Sequence, residues 1–226
     1  MEYKTSSETY SVPVENTSFH KLLQMFSVSI LVSFIGTAVG SNFAEWGLSW
    51  MFLPLIVVQL IMLVSAFFFR KNSRPVGYLF VYFFTFLSGV TIFPALNHYI
   101  NVGGPGLVMS AFGITTVIFA VLTAYAYFSK RDFSFLGGFL LVGVIALIGL
   151  AIVRIFVPSL GVGMLGLSIA FLGIMIFSGF VLYDISKFKH GLANEMIPLA
   201  VLCLYLDFIN LFLYVLQFLG ILSSDD

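Results

Sequence analysis

IPLAVLCLYLDFINLFLYVLQFLGIL, residues 197–222, carries one charged side chain, Asp207. A stretch of roughly 20 apolar residues is what a helix needs to cross the hydrocarbon core of a bilayer. Lipid offers the backbone no hydrogen-bond partner, so such a stretch must be helical. Working outward, six further apolar runs precede it, at 22–40, 48–69, 76–96, 106–128, 133–157 and 161–183. Breakers separate them at 42–47, 72–75, 103–105, 129–132, 158–161 and 187–194. The expected architecture is an all-α membrane protein of seven transmembrane helices. Residues 1–18, polar and of mixed charge, are expected to form a disordered cytoplasmic tail ahead of a transmembrane domain at 19–226. That tail is too acidic for the basic start of a signal peptide.

Composition agrees. Of the 226 residues, 60% are hydrophobic and 9% charged, with a mean hydropathy of +1.09. A water-soluble domain carries about 25% charged residues. The formal net charge is zero, so no basic field points to nucleic acid. The single cysteine, Cys203, excludes an internal disulfide and a cysteine-rich metal cluster.

The basic residues set an orientation. Lys4 and Lys21 precede the first span; Arg70, Lys71 and Arg74 follow the second; Lys130 and Arg131 follow the fourth; Lys187 and Lys189 follow the sixth. Of the ten basic residues, only Arg154 falls on the other side. By the positive-inside rule the N-terminus is cytoplasmic and the C-terminus outside, in a multi-pass protein of the cell membrane.

Two acids lie within spans. Asp184 ends the sixth, in Phe180-Val181-Leu182-Tyr183-Asp184-Ile185, and Asp207 lies midway along the seventh. An acid at such depth costs about 2.5–3.5 kcal/mol on insertion scales, so it usually faces the bundle interior and serves a function. The alternative is a neutral, hydrogen-bonded structural acid. Helical side chains lean toward their own N-terminus, and these two helices run in opposite directions, so the carboxyls lean toward each other. Two carboxyls in contact at low dielectric resist ionising together; they share a proton and titrate as a unit. Such a pair can sense pH, and once deprotonated it offers the hard oxygen ligands that calcium prefers.

Asp207, Asn210, Tyr214 and Gln217 follow one helical face. A helix with a polar stripe and otherwise apolar faces belongs at the centre of a bundle, its stripe lining a path. Interhelical hydrogen bonding is the structural alternative. Gln59 is the one strongly polar interior residue of the second span. Arg70 stands at the level of Asp184, either snorkelling to headgroups or pairing with that acid. His20, His98 and His190 lie near span ends, where solvation accounts for them. Gly-x-Ser-x-Gly, His-Glu-x-x-His and phosphate-loop patterns do not occur.

Two resemblances follow. An aspartate in each of two successive spans resembles the presenilin-type intramembrane proteases. Those, however, carry Gly-x-Gly-Asp at the second acid, where this chain has Leu204-Tyr205-Leu206-Asp207. The fuller resemblance is to the transmembrane Bax-inhibitor-motif family and its bacterial members. It rests on Tyr183-Asp184, on Leu204-Tyr205-Leu206-Asp207-Phe208-Ile209-Asn210-Leu211, on Gly220 to Asp226, and on Ser88-Gly89 and Phe93-Pro94. It covers nearly the whole chain beyond the tail. The resemblance implies a pH-sensitive calcium leak across the cytoplasmic membrane and a seventh helix surrounded by the other six. It also implies that Asp184 and Asp207 act as the pH sensor, with Arg70 as a latch. In the family pattern a charged pair occupies the positions of Gln59 and Gln217, so two amides are expected to meet there. No enzymatic activity and no cofactor are expected; the partners are lipid, protons and calcium as the permeant ion. A proton-coupled transporter using the same carboxyls is the next reading, and a membrane interaction protein the third.

Overall fold

The computed structural model describes residues 14–71, 76–189 and 192–224, the side chains of 14–17, 67 and 69–71 excepted. Its long helices are α1 (Val14–Glu45), α2 (Phe52–Lys71), α3 (Tyr78–Phe128), α4 (Leu136–Phe156), α5 (Gly163–Phe188) and α6 (Ile197–Ser224). Short 3-10 turns at Ser49–Met51, Pro158–Gly161 and Asn194–Met196 link some of them. Among the described residues there is no strand. Six helices among the described residues are long and apolar enough to cross a membrane, against the seven expected from the sequence. The difference lies in α3. The anticipated loop at 103–105 is a break at one residue, Gly104, with φ 77° and ψ 174°, followed by Pro105. That backbone conformation is open to glycine and strained for any other residue.

Two helix ends also differ from expectation. α1 starts at Val14, so the end of the expected tail, residues 14–18, is helical; residues 1–13 lie outside the described set. The reason is packing: Phe19, Leu22 and Phe26 are buried, and Phe19 stacks on Tyr127 with ring centroids 4.7 Å apart. α5 continues past Tyr183 to Phe188, because Ile185 and Phe188 belong to the main apolar cluster.

α6 packs against α1, α3 and α5, while α2 packs on α3 and α4 on α5. In the most apolar stretch of α6, 67% of residues are buried, against 11–28% in the other five helices. The outer helices present Leu53, Leu79, Phe128, Phe139 and Phe156 at 70–83% exposure, which only a lipid surround tolerates.

α1 and α3 cross closely enough that glycines are required. A side chain at Gly36 would collide with the Phe86 carbonyl, and one at Gly89 with the Ser33 carbonyl. Small residues let membrane helices gain van der Waals contact where hydrophobic burial supplies no drive between them. Thr37 Oγ1 ties the crossing, donating to the carbonyls of Ser33 (3.1 Å) and Gly89 (3.2 Å). At one end of the bundle, Lys189 Nζ donates to the carbonyls of Ala126 (2.9 Å) and Ser129 (2.6 Å). It thereby satisfies the last turn of α3 and complements its negative dipole end.

Candidate functional site

The extension of α5 decides where Asp184 sits: inside the helix, one turn before its end, and 7% exposed. Asp207 of α6 is 6% exposed. The two acids are neighbours across the α5–α6 contact. A hydrogen bond between two carboxyls needs a proton on one of them. Around them Val181, Ile185, Leu204 and Phe208 belong to one apolar cluster. A charge there is screened by little water. The second oxygen of Asp207, Oδ2, is buried and accepts no hydrogen bond among the described residues.

The acids have a polar neighbour on the opposite face of α6. Tyr205 is fully buried, its hydroxyl 2.8 Å from Ser33 Oγ of α1 and its ring edge-on to Phe84 of α3, centroids 6.5 Å apart. These contacts fix the rotation of α6 against α1 and α3, so that Asp207 points at α5. The end of the bundle nearest the acids is closed by Lys189 and by Ser186 Oγ, which accepts from the Phe133 amide at 3.1 Å.

The stripe on α6 runs along the α5 contact. Asn210 Nδ2 donates to the carbonyl of Leu206 in its own helix at 2.7 Å. Tyr214 stacks on Phe177 of α5, centroids 5.7 Å apart, its ring lying where a side chain at Gly173 would stand. Gln217 faces a pocket between α4, α5 and α6, and its Nε2 has no partner among the described residues. Gln59 accepts from Thr91 Oγ1 of α3 at 2.7 Å instead. The two amides therefore do not bond to each other, contrary to expectation. Thr91 stands on α3, the helix against which α2 packs, and gives Gln59 a local partner. The Arg70 and His190 side chains lie outside the described residues.

Among the described residues, no three His, Cys, Asp or Glu side chains gather. Asp184 and Asp207 together offer four oxygens, whereas bound calcium takes six to eight. Protein oxygens alone would form a partial shell.

The family model described as inhibitor of apoptosis-promoting Bax1 matches residues 15–224. The chain belongs to that family. Similar proteins include Bax inhibitor 1 of Schizosaccharomyces pombe, 37% identical over 70% of this chain and 57% of the yeast protein. A membrane protein of Vibrio cholerae is 35% identical over 76% of each chain. The modulator of FtsH protease YccA of Escherichia coli is 29% identical over 92% of this chain and 93% of its own. The multi-pass membrane character expected from composition agrees with the family and with the six apolar helices.

Three features of this Bax-inhibitor chain escape sequence reasoning. Tyr205 stands in the sequence only as part of a motif, yet it anchors three helices. Gly36 and Gly40, four apart on α1, and Gly89 are the signal that could have shown the α1–α3 crossing. Arg154, the exception to the charge pattern, folds back against Gly161 at the pocket that Gln217 lines.

Proposed function

We propose that this protein is a pH-sensitive calcium leak channel of the cytoplasmic membrane, gated by Asp184 and Asp207. The observation that carries the reading is the pairing of these two buried acids as neighbours on α5 and α6. A proton shared between them holds the helices together and the path shut. Its loss leaves two like charges at one buried place, and α5 and α6 part. The exposed carboxylates then receive a cation, or Arg70 swings to one of them as a latch. No catalytic step is assigned to the acids.

In this reading α3 makes two crossings, divided at Gly104. As one helix its 51 residues would reach about 75 Å at ~1.5 Å per residue, more than twice the roughly 30 Å hydrocarbon thickness. α6 is then the seventh crossing and the central one, with the N-terminus cytoplasmic and the C-terminus outside.

The test is calcium entry into proteoliposomes at a series of pH values. A flux that rises with pH and follows the calcium gradient without saturating supports a leak. Flux that saturates with a fixed proton stoichiometry would assign the same acids to a transporter. Absence of flux at every pH overturns the proposal.

A further inference from the structure

A cleft of about 350 Å³ opens on the flank of the bundle, between α1 and the part of α3 that follows Gly104. Volumes of roughly 300–1,000 Å³ are typical of small-ligand sites. Ile30 and Phe34 wall it on α1, and Met109, Phe112 and Gly113 on α3. Phe208, Ile209 and Phe212 of α6, the most buried helix, also line it. Phe208 and Phe212 are buried, whereas Met109 is 74% and Phe34 51% exposed, so the cleft runs inward from a lipid-facing mouth. Gly113 leaves one wall bare: a side chain there would meet nothing within 4 Å.

The lining selects the occupant. Its two hydroxyl side chains, Ser33 and Thr37, are already engaged, Ser33 Oγ with the Tyr205 hydroxyl and Thr37 Oγ1 with the carbonyls of Ser33 and Gly89. A buried water needs about two to four polar partners, and the lining side chains have none to spare. Among the described residues no charged side chain lines the cleft, so nothing there holds a headgroup. The walls touch at Phe34 and Phe112, ring centroids 5.3 Å apart, which is too close for a helix about 10–12 Å across to reach α6. Left unfilled, the cleft would deprive its lining of dispersion contacts, and hydrocarbon lies at its mouth. We propose that the cleft is a binding site for one acyl chain of a membrane lipid. A chain that comes from hydrocarbon gains nothing by leaving water; it is held by van der Waals contact on several sides at once.

The experiment reconstitutes the full chain in phosphatidylcholine vesicles that contain a small share of phosphatidylcholine bearing a diazirine midway along one acyl chain. After illumination, labelled positions are mapped by mass spectrometry. The wild type should be labelled at Ile209, inside the cleft, as well as at Phe139 on the outer surface of α4. Gly113→Leu, which fills the cleft from its wall, should lose the Ile209 label and keep the Phe139 label, the latter reporting ordinary lipid contact. Gly113→Ala, too small to fill it, should keep both. Should Gly113→Leu fail to fold, Met109→Trp at the mouth replaces it, with the same expected loss. The proposal is overturned if Ile209 stays unlabelled in the wild type, or if its label survives the filling variant. Crosslinks between copies at Met109 together with an unlabelled Ile209 would overturn it in favour of a second chain. No flux enters the readout, so its failure is separate from failure of the calcium reading.

Discussion

Replacing Asp207 by asparagine keeps the shape of the site and removes its proton chemistry. The amide introduced there would donate to the Asp184 carboxylate, so α5 and α6 stay bonded at every pH. In the wild type the two acids are neighbours, and two carboxylates in contact stand about 4 Å apart. At an effective dielectric near 20 their repulsion amounts to about 4 kcal/mol. Since about 1.4 kcal/mol is a factor of ten, deprotonation can shift the ratio of open to closed states by nearly a thousandfold. Carrying a two-state element from 1:99 to 99:1 takes about 5.5 kcal/mol, so the pair supplies most of a full switch and cation entry the remainder. The sign follows from the shared proton: closure dominates at acid pH, and flux rises as pH climbs through the titration of the pair. Calcium entry into proteoliposomes, followed with a trapped indicator from mildly acid to mildly alkaline pH, should show a steep profile for the wild type. The profile for Asp207→Asn should be flat, and that for Asp184→Asn the same. If both variants keep the wild-type profile, the acids are structural and the mechanism fails.

Tyr205→Phe should lower the unfolding temperature in detergent, at a cost of about 1 kcal/mol, by removing the bond to Ser33 at 2.8 Å. A midpoint unchanged from wild type would show that the hydroxyl does not anchor α6. Gly89→Val sets a branched side chain against the Ser33 carbonyl; a loss of about 1–3 kcal/mol or more should appear as a broadened, less stable species on size exclusion. Recovery of a monodisperse protein of native stability would contradict the tight α1–α3 crossing. Lipid-phase photolabelling should mark Phe139 and Leu53, which are largely exposed, and spare Asn210 and Tyr214. Strong labelling of either polar residue would remove α6 from the interior.

The helices and the acid pair are legible in the sequence for the same reason. Where nearly everything is apolar, a break or a charge is conspicuous, and Asp184 and Asp207 stand out in runs of Leu, Phe and Val. Opposed helix directions are enough to turn the carboxyls toward each other. The facing of the uncharged positions is not legible. Between lipid and a membrane-protein core there is little difference in polarity, so no periodicity says which side of α1 meets α3. That information lies in Gly36, Gly40 and Gly89, whose reading needs the partner helix. Gln59 shows the limit differently. Its pairing with Thr91 depends on the rotation of α2, which a single glutamine in an apolar run leaves undetermined. The merged α3 has a simpler cause: Gly103, Gly104 and Pro105 mark a break, but one residue with positive φ makes it in place of the expected loop.

The burial of α6 bears on how the protein is made. Synthesis proceeds from the N-terminus, so α1 to α5 reach the membrane first, and their stretches with 11–28% burial can rest against lipid alone. α6 cannot do so at equal ease, because Asp207, Asn210 and Gln217 would meet hydrocarbon on their way in. The earlier helices must therefore leave a seat for it, and the bundle is completed by the docking of the helix that carries Asp207. An assembly in which α6 has not docked has no acid pair, and under the proposed mechanism no way to hold its path shut by sharing a proton.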